Sequence, residues 1–487
     1  MKLGLLTVCA VLILSAVIPA VGLVVCLVIM AVQITLMALR PIVACLPTRL
    51  PRSRQNVAAP RFSIHVATHS EPPELVIRTL RALLDQDWPH GDYEIIVMDN
   101  NTADPSLWQP VQRFCASYPD RVVFLHQTGV QGAKAGALNI SLEHTDPKAT
   151  HVVTVDADYS VHRDFLSLAA EALRRTGADF VQFPQSYAGT ATTAPGVDAE
   201  LEEYFRTNAA AADEAEAVLL TGTLCVISKE ALIAVDGWSS ATTTEDAELG
   251  VRLCNAGYAG RFINQVVGEG LLPFSLKDLE KQRYRWCSGN VQTLLRHIWT
   301  ILMPAGVFNA HKRLVVVSQL TAWFNLTLIP CALLTLWLLT GHGHSLAATV
   351  AASIIVLGLS DIAMRVAARA LRDNQPPSVL FHALACRIAL APQSAKATFD
   401  ALTGSHLSFI VTDKFCGKDA SAHEPHSCHI LLFLTATILL ITVPSANPLV
   451  VGALMTLMLP LPAALVTDRS LHAYRETIVT SFTEITA

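Results

Sequence analysis

Charge is scarce in this chain of 487 residues. Only 15% of them are Asp, Glu, Lys or Arg, while 52% are apolar, and the mean hydropathy is +0.42. That balance excludes an ordinary water-soluble domain, yet it leaves too much charge for a chain made of membrane spans alone. Formal net charge is −5, which is no nucleic-acid-binding signature, and no nucleic-acid partner is expected. The 11 cysteines are scattered, many inside apolar runs, with no C-x-x-C pair. They read as reduced, buried thiols rather than a disulfide framework or a zinc site. Repeats are lacking too, and so is low-complexity sequence beyond an Ala-rich tract at 208–217.

Residues 3–39 contain no charge at all. As one helix they would run roughly 55 Å against a hydrocarbon core of about 30 Å. Two short spans turning at 18–22, around Pro19 and Gly22, fit better. No small-residue cleavage site followed by polar chain sits where a signal peptide would need one. Arg40, Arg49, Arg52, Arg54 and Arg61 follow, which assigns the next segment to the cytoplasmic side.

From 62 to about 183 short apolar runs alternate with helical patterns. Strands are expected at 62–68, 93–99, 121–126 and 151–155, and helices at 73–86, 105–117, 132–143 and 161–176. Such alternation predicts a parallel sheet covered on both faces, with ligands at the carboxyl ends of its strands. Thr68, Asp99 and Asp156 fall at those ends.

Further on, apolar segments lie at 314–340, 346–367, 430–443 and 449–466, with a charge-free turn at 341–344. A stretch at 378–402 is interrupted by His382, Arg387, Pro392 and Lys396, and reads as a helix lying in the membrane interface. Arg365, Arg369, Arg372, Lys396, Lys414 and Lys418 lie between the apolar pairs. The positive-inside rule then predicts six spans with both termini on the cytoplasmic side. The expected organisation is a transmembrane hairpin at 1–46, a cytoplasmic α/β domain at 60–270 and interfacial helices at 271–312. A transmembrane pair at 313–368, an interface helix and loop at 376–427, a second pair at 428–468 and a cytoplasmic tail at 469–487 complete it.

Several short motifs carry chemistry. The run ending Asp156-Ala157-Asp158 puts two carboxylates at a strand tip; they suit a divalent ion on diphosphate oxygens, or an Asx-type turn. Asp99 ends another buried strand and suits a hydroxyl or an imide N–H of a nucleotide. Gly132-Ala133-Lys134-Ala135-Gly136 opens a helix, offering free N–H groups and an ammonium, or merely a flexible turn. Thr243-Thr244-Glu245-Asp246 precedes an amphipathic helix at 247–256; it supplies a general base, or complements the helix dipole. Gln282-Arg283-Tyr284-Arg285-Trp286 combines guanidinium forks with an indole. These suit phosphate oxygens and a sugar face, or make a basic belt with an aromatic anchor.

Taken together, Ala67-Thr68-His69-Ser70-Glu71-Pro72, Asp99, Asp156-Ala157-Asp158, Thr244-Glu245-Asp246 and Gln282-Arg283-Tyr284-Arg285-Trp286 resemble, in order and spacing, the processive family 2 glycosyltransferases. That group holds cellulose, chitin, curdlan and hyaluronan synthases. Phe409-Ile410-Val411-Thr412-Asp413-Lys414 resembles the F-x-V-T-x-K gating loop of its cellulose-synthase-like members. The resemblance implies an α/β GT-A nucleotide-diphospho-sugar transferase domain inserted into a polytopic α-helical membrane domain, expected in a bacterial inner membrane. Thr68, Glu71 and Asp99, with His69, would surround the uridine of a UDP-sugar, with Lys134 beside the base. Asp156 would contact the nucleotide, and Asp158 with Asp156 would hold Mg²⁺ or Mn²⁺. Asp246 would be the base of an inverting displacement. Gln282 and Arg285 would secure the diphosphate, Trp286 and Glu245 would meet the acceptor, and Phe409, Val411, Thr412 and Lys414 would close over the donor.

The implied activity is hexosyl transfer from a UDP-sugar, UDP-glucose foremost, onto a growing β-linked polysaccharide that leaves through the enzyme's own helices in the bilayer. Accessory export subunits and self-association stay open. Transfer of one sugar to a lipid, and a nucleotide-binding transporter or scaffold, are the competing readings. The sequence departs from the family pattern where His69 replaces a tyrosine, where Asn100 replaces a second aspartate, and at Leu219-Leu220-Thr221-Gly222-Thr223 near the acceptor. Too few residues follow the last span for a cyclic-di-GMP-binding barrel, so direct regulation of that kind is not expected.

Overall fold

A computed structural model describes residues 2–44, 59–89, 92–303, 309–404, 426–443 and 447–486. The N-terminal apolar stretch forms two helices, Lys2–Val17 and Pro19–Ala44, separated at Ile18. Proline disfavours helical backbone at the residue before it, so Pro19 marks the break.

The strands are β1 (Phe62–Thr68), β2 (Tyr93–Asn100), β3 (Val122–Gln127), β4 (His151–Thr154), β5 (Ser160–Val161), β6 (Phe180–Gln182), β7 (Cys225–Ser228), β8 (Gly260–Phe262) and β9 (Gly268–Glu269). Seven of them form one sheet in the order β3-β2-β1-β4-β7-β6-β8, and β5 pairs with β9. β1 to β4 run parallel as expected. The all-parallel expectation fails at β7, which is antiparallel to both β4 and β6. Between β6 and β7 the chain makes a helical detour through Pro195–Tyr204, Phe205–Ala209 and Ala210–Glu214. It re-enters the sheet at the end where it left, so β7 runs the other way. This brings the start of β7 beside the end of β4, with Cys225 opposite Thr154.

Helices Pro73–Leu84, Pro105–Cys115, Ala133–Glu143 and Phe165–Thr176 cover the sheet. Leu75, Val76, Leu80 and Leu83 of the first are almost completely buried. At about 1.5–3 kcal/mol for each fully buried large aliphatic side chain, such faces dominate the domain's stability.

Three helices are long and apolar enough to cross a membrane among the described residues, at Pro19–Val43, Leu346–Ala368 and Pro448–Thr480. Leu328–Leu339 and Ser427–Thr442 are apolar but shorter. The span expected at 314–340 is not one helix. It divides into Ala310–Leu320 and Leu328–Leu339. Gln319 explains the division, because its amide serves the α/β domain. It accepts from Leu219 N at 2.8 Å and donates to Ala217 O at 2.9 Å. Asn325 then takes the N–H and hydroxyl of Thr327 at 3.0 and 2.8 Å, starting the second helix. The segment expected as a tail continues the last helix, Pro460–Thr486. Its buried Tyr474 hydroxyl accepts from Leu272 N at 3.2 Å.

The stretch expected in the interface is a helix, Pro377–Leu402, and its Arg387 is no surface charge. Arg387 pairs with Glu200 at 2.7 Å and with Glu203, while Arg283 forks onto Glu200 at 2.9 and 2.6 Å. The Arg283 and Glu200 side chains are 1% and 0% exposed. Both guanidinium groups also lie over the Trp323 ring, at 3.9 and 4.7 Å from its centroid. Breaking a buried pair of this kind leaves a charge without compensation and costs about 3–5 kcal/mol. Glu200→Ala is therefore expected to lower the melting temperature of the detergent-solubilised protein sharply. Removing the exposed Arg163, whose partners are Asp85 and Asp87, leaves it unchanged. Equal effects in a thermal melt would contradict this.

Candidate active site

A cavity of about 780 Å³ opens at the carboxyl ends of β1, β2 and β4. Of the residues singled out from the sequence, Thr68, His69, Glu71, Lys134, Asp156, Asp158, Glu245, Asp246, Gln282, Arg285 and Trp286 line it together. Asp99 does not. Its carboxylate lies behind the wall, accepting from Thr68 at 3.0 Å, Thr102 at 2.9 Å and His126 Nδ1 at 2.9 Å. Asp99 thus orients Thr68 rather than facing the cavity. Phe409, Val411, Thr412 and Lys414 lie outside the described residues.

The departures at 69 and 100 have local explanations. Asn100 donates its amide to Thr68 O at 2.8 Å, which an aspartate could not do. His69 Nδ1 lies 2.6 Å from Asn100 O, and its backbone N–H donates to Glu71. Burial pushes the Glu71 carboxyl up to about 7, against the lowering effect of that N–H.

Lys134 enters from the helix that starts after Gly132, whose φ of 83° needs glycine. Its ammonium donates to Asp156 and, at 3.0 Å, to Gly222 O. Burial alone would lower its pKa; the carboxylates of Asp156 and then Glu245 hold it well above the usual lysine range. Asp156 N donates to Thr223 Oγ1 at 3.0 Å, a bond made available by the reversed β7. Gly222 has φ 84°, and a Cβ there would meet Asp246 Oδ2 at 2.8 Å. Glycine is required by both backbone and space.

The helix Leu276–Arg296 supplies the far wall. Positions 282, 285 and 286 share one helical face. Gln282, Arg285 and Trp286 accordingly line the cavity, while Arg283 turns to Glu200 and Tyr284 donates to Asp400 at 2.6 Å. Thr243 ties the acidic loop to this helix, donating its N–H to Gln292 Oε1 at 3.1 Å and its hydroxyl to Arg285 O at 3.3 Å. Asp246 lies in the first turn of the helix Glu245–Asn255 and accepts from Ala247 N at 2.7 Å. Burial first and the Glu245 charge second raise Asp246 to about 7, opposed by the Ala247 N–H, Lys134 and Arg285. A carboxyl poised near neutrality suits a general base.

Two buried polar atoms of wall residues, Thr221 Oγ1 and Gln282 Oε1, have no hydrogen-bond partner among the described residues. Such atoms fit a ligand rich in hydroxyl and N–H groups. Asp156 and Asp158 face the same space. Among the described residues no group of three or more His, Cys, Asp or Glu side chains could hold a metal alone. The pair therefore fits a hard cation that completes its shell with phosphate oxygens and water. Tyr187 and Gln185, which were not anticipated, also line the cavity with Thr221. Tyr187 donates to Gln185 Oε1 at 3.1 Å, and Gln185 donates to Thr221 O at 2.8 Å. They sit in irregular segments without periodicity; only the departure at 219–223 pointed towards them.

Comparison with known proteins assigns the α/β region to a family. The family model described as glycosyl transferase family 2 matches residues 63–235, and that described as glycosyl transferase family group 2 matches 151–360. Residues 63–360 thus carry a glycosyltransferase family 2 domain. The chain is 28% identical over 302 residues to a beta-monoglucosyldiacylglycerol synthase of Synechocystis sp., covering 60% of each chain. It is also 28% identical over 240 residues to a UDP-forming cellulose synthase catalytic subunit of Xanthomonas axonopodis pv. citri, covering 48% of this chain and 32% of that one. The match thus spans less than two thirds of either relative. A mannosyltransferase from Pyrobaculum calidifontis, solved with GDP-Man and Mn²⁺, superposes with a TM-score of 0.52 at 20% identity, over 77% of this chain and 98% of that one. That likeness supports the GT-A fold.

The Asp246 environment predicts a pH profile. Sugar transfer should rise with pH as the carboxyl loses its proton, half-maximal near the value of about 7 set by burial and Glu245. Glu245→Gln removes the like charge and should move that limb to lower pH. Initial rates between pH 5 and 9, in membranes carrying each form, check both outcomes.

Proposed function

We propose that the chain is a membrane-embedded, inverting hexosyltransferase that takes a UDP-sugar, UDP-glucose foremost. It extends a β-linked polysaccharide processively and passes the product out between its own transmembrane helices, with the catalytic domain on the cytoplasmic side. The observation that carries the reading is the single cavity shared by Lys134, Asp156, Asp158, Asp246, Gln282, Arg285 and Trp286.

In this reading Thr68, held by Asp99, and the His69–Glu71 turn receive the nucleoside. The Lys134 ammonium bonds Asp156 and Gly222 O, so it is assigned with Arg285 to the diphosphate rather than, as the resemblance implied, to the base. Positive charge there stabilises a leaving group that gains negative charge in the transition state. A divalent cation held by Asp158 with Asp156, Mg²⁺ or Mn²⁺, would supply further neutralisation of that diphosphate. Asp246 accepts the proton of the acceptor hydroxyl as its oxygen attacks the anomeric carbon from the side opposite the diphosphate. One carboxylate suffices, because inversion needs no covalent sugar–enzyme intermediate. The Trp286 indole offers an apolar face to the acceptor ring.

A second reading is favoured by one observation: the relative matched over the largest share of this chain among those described is a diacylglycerol glucosyl synthase. In that reading the acceptor is a single lipid hydroxyl, and the roles around the donor stay the same.

Membranes containing the protein, incubated with labelled UDP-glucose, separate the two. Label in hydrolase-sensitive polymer supports processive synthesis; label confined to a lipid-soluble monoglycoside supports the second reading and rejects the first. Asp246→Asn is expected to lower transfer by about 10²–10⁴-fold with UDP binding retained. Wild-type rates in that variant would remove Asp246 from the chemistry. Chelation of divalent ions is expected to abolish transfer, with Mg²⁺ or Mn²⁺ restoring it; undiminished transfer in chelator would reject the metal role of Asp156 and Asp158.

A further inference from the structure

Behind Trp323 lies a second, smaller chamber, lined by residues other than those of the catalytic cavity. It has a volume of about 60 Å³ and is lined by Arg40, Arg283, Arg365 and Arg387 together with Asp361. The Trp286 and Trp323 rings, 5.9 Å apart between centroids, stand between the two spaces. Arg40 comes from the helix Pro19–Ala44, Asp361 and Arg365 from Leu346–Arg372, and Arg387 from Pro377–Leu402. The first two helices contain the span-length segments Pro19–Val43 and Leu346–Ala368. Arg40, Asp361 and Arg365 sit near the ends of those segments, on the side packed against the α/β domain. The ends of a segment just long enough to cross the hydrocarbon core fall at the headgroup level of a bilayer.

The charges do not cancel. Arg40 and Arg365 share Asp361, at 2.8 and 3.2 Å. Arg283 and Arg387 share Glu200, and Arg387 also holds Glu203. Four guanidinium groups thus face three carboxylates, and arginine does not relieve the excess by losing a proton. Among the described residues, the buried Nε atoms of Arg283, Arg365 and Arg387 have no hydrogen-bond partner. Excess charge and orphaned donors at membrane depth are costly and mark a binding function by default. The space of about 60 Å³ is about four to six times the roughly 10–15 Å³ that admits one water. It suits a group carrying four oxygens and is too small for a sugar ring. Half-buried Met37 and Ile362 add apolar surface beside the cations.

We propose that this chamber binds a phosphate group, with the arginines as charge-assisted donors to its oxygens. The ligand chemistry is a phosphate monoanion, carried by a membrane phospholipid or free in solution. The site is independent of which sugar or acceptor the catalytic cavity uses.

The full chain, purified in detergent and stripped of lipid, is offered either phosphatidylglycerol or inorganic phosphate, and occupancy is read by native mass spectrometry and titration calorimetry. One bound phosphate-bearing molecule per chain is expected. Arg365→Gln should weaken it at least tenfold, while Asp361→Asn, which adds to the positive excess, should strengthen it. Tight binding of phosphatidylglycerol assigns the site to lipid, and binding of inorganic phosphate alone assigns it to a soluble anion. No binding by the wild-type chain, or equal affinity in all three forms, overturns the proposal. Because the two substitutions push in opposite directions, a loss of folding in one leaves the other decisive.

Discussion

The buried contact between Arg283 and the Glu200 carboxylate is the constraint on which the architecture turns. It joins a helix of the α/β domain to the helix Leu276–Arg296, and Arg387 extends it to the helix Pro377–Leu402. Burying these charges is unfavourable unless each finds its partner, so only one relative placement of the three helices is tolerated. That placement rotates Gln282, Arg285 and Trp286 towards the cavity. Stability and the shape of the cavity wall are therefore set by neighbouring positions of one pentapeptide, with Arg283 doing the anchoring and the other face lining the cavity.

Around the cavity the electrostatics are arranged by proximity rather than by exposure. Lys134 stands among Asp156, Glu245 and Asp246, and each carboxylate holds its ammonium charged. Asp246 experiences the converse: burial and Glu245 hold its proton, while Lys134 and Arg285 release it. A phosphate-bearing donor would compete for Lys134 and Arg285, so donor binding and the protonation of Asp246 are coupled through the same cations.

Much of this was legible beforehand, and for identifiable reasons. β1 to β4 and their covering helices were readable because buried parallel strands are continuous apolar runs and amphipathic helices repeat every three to four residues. The break before Pro19 followed from one residue's covalent geometry. The motifs converged because strand tips at one sheet edge share a location. Asp99 shows the limit: its position at a strand tip was read correctly, but which side its carboxylate faces depended on Thr102 and His126, neither of which any pattern marked. The apolar stretch at 314–340 was similarly ambiguous, since hydropathy does not reveal that Gln319 bonds to the backbone of a distant loop.

The sequence by itself determined the alternation of strands and helices, the segregation of apolar helices from a charged domain, and the residue types around the cavity. These follow from local propensity, periodicity and side-chain chemistry, which act over a few residues. Only the tertiary structure decided the reversal of β7, the orientation of Asp99, the burial of Arg283 and Arg387, and the elevated proton affinity of Asp246. Each depends on groups tens to hundreds of positions apart meeting where water is excluded, and the strength of a charge or hydrogen bond there is set by those neighbours rather than by the residue's own identity.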